Sequence, residues 1–250
     1  MTERSEYTKF YLGLAILAVV IFFVFILFGY AIVERNKPKS EADSGKKINT
    51  DTGPDPLITV VPEQYQNYDT TQLTISANDP KRGPTDAAVT MVIFSDFQCE
   101  FCKDARDTMY QLEKNFAGKL QIVWKDFPIP RVHPEGEPAA IAARCAQQQG
   151  KFWEYHDNLL ENQTLLGNDL YTKIAQTLAL DMDSFSSCVN NKTTQGLVQK
   201  TFIEGVALDI SGTPFFFINK TRVSGAQSYS NLAGIVQQEI DKAALEIPAP

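Results

Sequence analysis

Cys99 and Cys102 are separated by Glu100 and Phe101, and the pair follows an apolar run across Ser95-Asp96-Phe97-Gln98. Two thiols at this spacing at the start of a helix form a reactive centre. The first sulfur lies beside unpaired backbone N–H groups and the positive end of the helix dipole, where thiolate, the reactive form, is stabilised. Cys99 is then the exposed nucleophile, and Cys102, one turn deeper, resolves the mixed disulfide. The competing chemistry is half a zinc site. Zinc would need Cys145 and Cys188, or His133 and His156, to converge on the pair without a second close-spaced pair of cysteines. Thiol-disulfide exchange is the better reading, and it requires neither a metal nor an organic cofactor.

The flanking sequence supplies the elements such a centre needs. Val89-Thr90-Met91-Val92-Ile93-Phe94 is a β-branched apolar run, expected of a strand buried on both faces of a sheet. After Cys99, Met109, Leu112 and Phe116 recur at helical spacing and Gly118 follows as a stop. Leu120 to Phe127 reads as a second strand, so strand, helix and strand imply a parallel right-handed crossover. From about 138 to 208 the pattern is helical: Ala139–Gln149, Phe152–Asn162, Leu170–Leu178, Asp183–Asn190 and Leu197–Ala207. Phe215–Asn219 and Thr221–Ser224 form a hairpin, and Ser230 caps a closing amphipathic helix through Leu232, Ile235, Val236 and Ile240.

Ahead of this body, Phe10 to Val33 runs without a charge between Lys9 and Glu34. A helix of that length spans the roughly 30 Å hydrocarbon layer. The run is longer than the roughly 7 to 15 residues of a signal-peptide core and no A-x-A-like site follows it, so an uncleaved anchor at 10–33 behind a short tail at 1–9 is expected. Residues 34–69 are largely polar, reading as a flexible tether with Leu57–Val61 as a short strand or docking segment; the folded domain occupies 70–250. Arg4 and Lys9 precede the run while Arg35, Lys37, Lys39, Lys46 and Lys47 follow it, which by simple charge count keeps the body in the cytoplasm. Long translocated domains follow loop charge poorly, and disulfide chemistry needs an oxidising compartment. The expectation is therefore a single-pass cell-membrane protein with its catalytic domain outside the cytoplasm. The net charge of -7 is spread along the chain with no basic block, arguing against a nucleic-acid partner.

The run Phe94-Ser95-Asp96-Phe97-Gln98-Cys99-Glu100-Phe101-Cys102 resembles the active-site signature of the DsbA-like branch of the thioredoxin superfamily. The likeness continues through His133-Pro134, the Ala139–Ala146 helix, Gly150 to Asp157, and Gly212-Thr213-Pro214-Phe215 to Asn219. It implies an α/β thioredoxin fold with a helical insertion, and a thiol-disulfide oxidoreductase acting on cysteine-containing client polypeptides. It also implies a quinone-linked membrane partner for re-oxidation if the enzyme works as an oxidant. By the same resemblance the Thr213-Pro214 bond is cis, stands beside the two cysteines and shapes the substrate groove. Two departures stand out. Glu100-Phe101 replaces the dipeptides common in the family, and an anionic Glu100 beside the nucleophile would oppose thiolate. Ile93 stands where relatives often carry a buried acid facing a base that would match Lys125, leaving Asp96 or water to move protons.

Cys145 and Cys188 fall on separate helices of the insertion and have no close partner. We read them as a structural disulfide, worth roughly 4 kcal/mol by loop closure; the alternative is two buried free thiols. His133, in a Pro-rich turn, and His156, on an aromatic helical face, read as packing or capping groups.

Overall fold

The computed structural model describes residues 73–246. The apolar run at 10–33, the tether, the segment Leu57–Val61 and the start of the domain near residue 70 lie outside the described residues. Five strands form one sheet in the order β1-β3-β2-β4-β5, where β1 is Lys81–Arg82, β2 Val89–Ser95, β3 Leu120–Asp126, β4 Phe215–Ile218 and β5 Thr221–Ser224. Only β2 and β3 run parallel, Val89 opposite Leu120 through Ser95 opposite Asp126. The helix between them, α1 (Glu100–Asn115), makes the expected crossover.

The parallel pair is central and covered on both sides, which is why its residues run apolar without alternation. Met91 and Ile93 join Ile122, Trp124 and Phe216 in a core under Ala105, Met109 and Leu112 of α1, with Leu232 and Val236 of the last helix. Val92 and Phe94 join Val123, Phe127, Phe215 and Phe217 on the opposite face, under Val206 and Leu208.

The insertion comprises α2 (Gly136–Gln148), α3 (Phe152–Glu161), a 3₁₀ turn at Gln163–Leu165, α4 (Asn168–Thr177), α5 (Met182–Val189) and α6 (Lys192–Ala207), and α7 (Tyr229–Glu246) closes the fold. Most helix ends shift by one to three residues from the sequence expectation, and some departures are larger. Helix α6 begins at Lys192 instead of Leu197, because the Asn191 side chain accepts from the Thr193 N–H at 2.8 Å and caps an otherwise polar first turn. Ser228, not Ser230, caps α7 by accepting from the Asn231 N–H at 3.2 Å, and Ser230 lies inside the first turn. By sequence, Leu73–Ser76 reads as a possible short strand ahead of a turn-rich Asn78–Pro84; it forms no strand, whereas Lys81–Arg82 within that turn-rich stretch pairs with Val123 and Ile122.

Residues 73–80 are held by charge instead of a ladder. Thr74 donates its N–H and hydroxyl to Glu204 of α6 at 2.7 and 2.8 Å. The other Glu204 oxygen meets the Lys125 ammonium at 2.8 Å, and Asp79 meets the same ammonium at 2.9 Å. Lys125 is thus paired with acids from two other segments. It does not face Ile93: strand alternation puts Ile93 with Trp124 on one face and Phe94 with Lys125 on the other. The relay suggested by family resemblance at those positions therefore has no counterpart in this sheet.

Cys145 of α2 and Cys188 of α5 are bonded, with Cα atoms 5.7 Å apart. The bond closes a loop of sequence separation 43, for which chain entropy gives about 4 kcal/mol.

Helix α6 approaches the sheet at Gly205, where an added Cβ would lie 2.5 Å from Phe127 Cδ2, while Gly196 of the same helix faces open space. The two glycines should respond oppositely to alanine. Gly196→Ala is expected to stabilise by up to about 1 kcal/mol through helix propensity, and Gly205→Ala to destabilise by about 1 to 3 kcal/mol through overpacking. Urea unfolding of both variants checks this, and equal signs would contradict the packing described.

Candidate functional site

The parallel strands β2 and β3 end together, and the chain leaving β2 turns into α1 at that edge, where open α/β sheets place their sites. Cys99 takes the N-cap position of α1 with extended φ/ψ of -76° and 122°, and its carbonyl accepts from the Cys102 and Lys103 N–H groups at 3.0 and 3.2 Å. The helix dipole therefore begins at the Cys99 sulfur.

Both thiols are unbonded and buried. Cys102 is the more enclosed, but Cys99, expected to be exposed, retains only 5% of its accessible surface. The reason is its surroundings. The Thr213-Pro214 peptide bond is cis and brings the start of β4 against the cysteine, so that the Cys99 thiol donates to the Thr213 carbonyl at 3.4 Å. On the insertion side, the Gln163 amide donates to the carbonyls of Phe97 and Cys99 at 2.9 and 2.8 Å. Gln163 has no sequence signal of its own; it is a polar residue just past a helix end, and only the tertiary fold brings it here.

The two sulfurs divide their acidity. Cys99 is lowered from 9.0 to about 6, first by the hydrogen bond from the Cys102 thiol, against the cost of its own burial, and then by the Thr213 hydroxyl and the Cys102 N–H. That hydroxyl is buried and makes no hydrogen bond while Cys99 is a thiol, so it is available to the thiolate. Burial pushes Cys102 well above the ordinary thiol value, and a charged Cys99 beside it pushes the same way. One sulfur is poised to attack while the other keeps its proton, which is the asymmetry a mixed-disulfide mechanism needs.

The charge opposing the Cys99 thiolate comes from Asp96, not from Glu100, whose side chain is exposed to water that screens it. Asp96 is 1% exposed. Its carboxylate accepts from the N–H groups of Gln98 at 2.8 Å and Ile129 at 2.9 Å and lies 2.8 Å from His133 Nδ1. It also abuts the start of α2, where a Cβ on Gly136 would stand 2.6 Å from Asp96 Oδ1. His133 is thus a partner of the site rather than a packing group. The sequence signal was present, an Asp just before the first cysteine and a His in the loop after β3, but their meeting depends on the crossover. His156, in contrast, is packed among the rings of Phe97, Trp124, Phe152 and Trp153, as its aromatic helical face suggests.

The residues zinc would need are otherwise engaged: Cys145 with Cys188, His133 with Asp96, His156 with Asp157. Among the described residues no His, Cys, Asp and Glu groups are arranged to hold a metal ion. Phe101, Val132 and Leu165 expose 61%, 62% and 65% of their surface, and each lies within two residues of a group in the site: Cys102, His133 and Gln163.

A family model described as thioredoxin matches residues 76–238. Among solved structures, Wolbachia pipientis alpha-DsbA1 superposes with a TM-score of 0.64 at 20% identity, covering 70% of this chain and 98% of that one. A thioredoxin-like oxidoreductase from Silicibacter pomeroyi gives 0.58 at 24% identity, covering 69% and 95%. The described chain therefore has a thioredoxin-like α/β fold with a helical insertion. Among curated proteins, Na(+)/H(+) antiporter NhaA 3 of Salinispora tropica is 34% identical over 67% of this chain. The chain spans about a quarter of that relative's length, 26%.

The division of acidity is directly measurable. Alkylation of the reduced protein should follow a single thiolate with a midpoint near pH 6 that maps to Cys99, and Cys102→Ala should raise that midpoint by removing the thiol that donates to the Cys99 sulfur. A Cys99 midpoint near the ordinary thiol value would contradict the geometry.

Proposed function

We propose, for a chain that belongs to the thioredoxin family, that Cys99 and Cys102 are the working dithiol of a protein thiol-disulfide oxidoreductase that forms disulfides in client polypeptides. The observation that carries this reading is the paired environment of the two sulfurs: Cys99 at a helix N-terminus with donors that favour thiolate, Cys102 buried and protonated behind it. In the oxidised enzyme a client thiolate attacks Cys99, breaking the Cys99–Cys102 bond and forming a mixed disulfide. A second client thiol then attacks the client sulfur and releases Cys99 as a thiolate. A low thiolate pKa makes Cys99 a good leaving group, which favours transfer of the disulfide to the client.

A polypeptide substrate is supported by the apolar surface around the centre. Phe101, Val132 and Leu165 are among the few large hydrophobics left exposed among the described residues, and each stands within two residues of a group in the site, so apolar surface is offered to a partner there. The cis Thr213-Pro214 edge lies beside Cys99, with a backbone carbonyl already directed at the sulfur, and offers polar contacts to an extended chain. A location outside the cytoplasm is supported by the Cys145–Cys188 bond, since structural disulfides persist in oxidising compartments. The uncharged run Phe10–Val33 would serve as a membrane anchor, with the polar segment after it as a tether. Such a tether raises the effective concentration of the dithiol near a membrane partner. The chemistry calls for that partner to re-oxidise Cys99 and Cys102, and a quinone-linked membrane protein fits the need.

The same residues run in reverse would make a reductase or isomerase, and the reduction potential separates the readings. Equilibrium titration of the full chain in glutathione buffers should give a two-electron transition above about -180 mV that disappears in Cys99→Ala. A transition below about -250 mV would replace the oxidase reading with a reductase, and no transition would remove the enzyme reading.

A further inference from the structure

Asp96 presents a problem that the thiol chemistry alone does not solve. A carboxylate buried three residues before the nucleophile, with its backbone carbonyl accepting from the Cys99 N–H at 3.1 Å, sets a negative charge beside a sulfur that must itself become negative. Two like charges in one buried site disfavour each other. The backbone donors of Gln98 and Ile129 hold the carboxylate in place but carry no net charge. The group that can supply one is His133, whose Nδ1 lies 2.8 Å from Asp96 Oδ2. The His133 side chain is 24% exposed while that of Asp96 is fully buried, so the imidazole connects the carboxylate to solvent.

We propose that His133 is a positioning residue of the dithiol centre: bound to Asp96, it carries the proton that offsets the carboxylate's charge while Cys99 is a thiolate, and gives it up when Cys99 is oxidised. The proposal rests on reading Cys99 and Cys102 as the redox pair. Proton and electron balance follow directly. When a client dithiol is oxidised, two electrons pass to the Cys99–Cys102 bond, which breaks as a client S–S bond forms. Two client protons are released; one is taken by Cys102, and the other is drawn to His133 instead of passing wholly to solvent. Re-oxidation returns both.

Among the described residues, the charged groups acting on His133 are Asp96 and Cys99, from the turn before α1. Its own loop also carries Arg131, whose side chain is exposed, and Glu135, whose carboxylate is engaged by the Tyr171 hydroxyl of α4 at 2.8 Å. Facing Cys99 are Cys102, Thr213 and Asp96. The hydrogen bond to Asp96 raises His133 above the ordinary imidazole value against the opposing cost of burial, and a charged Cys99 adds to the rise. By linkage the effect is reciprocal: if the thiolate raises the proton affinity of His133, the His133 proton favours the thiolate equally.

The chain has two histidines, so their NMR titrations are separable, and His156 is buried among aromatic rings. In the full-length wild-type protein the His133 midpoint should fall when the dithiol is oxidised to the disulfide. In the reduced state, His133→Gln should raise the alkylation midpoint of Cys99 by about one pH unit, cutting the thiolate fraction at pH 6 roughly fivefold. The same substitution in an Asp96→Asn background should leave the midpoint unmoved, because the charge it offsets is gone. A His133 titration identical in both redox states overturns the proposal without any variant. If Cys99 still titrates near pH 6 in that case, the oxidoreductase reading stands and only the role of His133 fails. If Cys99 forms no low-pH thiolate at all, both fall.

Discussion

A sulfur that must carry negative charge inside a protein needs donors in place of the water it has lost. Cys99 is 5% exposed, and the structure can be read as a means of assembling those donors around it. The first turn of α1 supplies the Cys102 thiol and N–H, and the cis Thr213-Pro214 edge brings the Thr213 hydroxyl. Each comes from a different part of the chain, and each is held by something rigid: α1 by the core under Met91 and Ile93, Thr213 by β4, which is paired with β2 from Phe94 to Met91. The site is an edge where a parallel crossover and an antiparallel return meet.

The insertion secures that edge instead of contributing a sulfur ligand. Gln163 holds the carbonyls of Phe97 and Cys99, and the start of α2 leaves room for the Asp96 carboxylate only because residue 136 is glycine. Farther back, Asp126 accepts from Arg144 of α2 at 2.6 Å and from the Trp124 indole at 2.8 Å, and Lys125 binds Asp79 and Glu204. Each of these buried ions has an opposite charge against it, which is the condition under which burial of charge is tolerated; removing one partner would leave the other stranded at a cost of about 3 to 5 kcal/mol. Successive residues of β3 thus tie the sheet to α2 on one face and to α6 on the other.

Much of this is legible in the residues. The unbroken apolar character of Val89–Phe94 marks a strand covered on both faces, and the helical spacing after Cys99 marks α1 because burial of one face imposes that period. The dithiol stands out because cysteines are few and this spacing is specific, and the Thr213-Pro214 edge stands out only through the family resemblance. What the sequence does not reveal is whatever depends on long-range placement. The family resemblance suggests Lys125 opposite Ile93, but register and strand alternation send it to the other face, where Asp79 and Glu204 receive it. His133 looks like one turn residue among prolines until the crossover brings it to Asp96. Glu100, nearest to the nucleophile in sequence, matters less than Asp96, because exposure and not chain distance decides how strongly a charge is felt.

The central claim is that Cys99 alone forms the mixed disulfide with the client, while Cys102 stays buried behind it as its intramolecular partner. It is tested most directly by trapping. With Cys102→Ala, a cysteine-containing peptide disulfide should accumulate as a mixed disulfide that mass spectrometry maps to Cys99, while Cys99→Ala should trap nothing above background. Adducts mapping to Cys102, or equal trapping by both variants, would contradict the account.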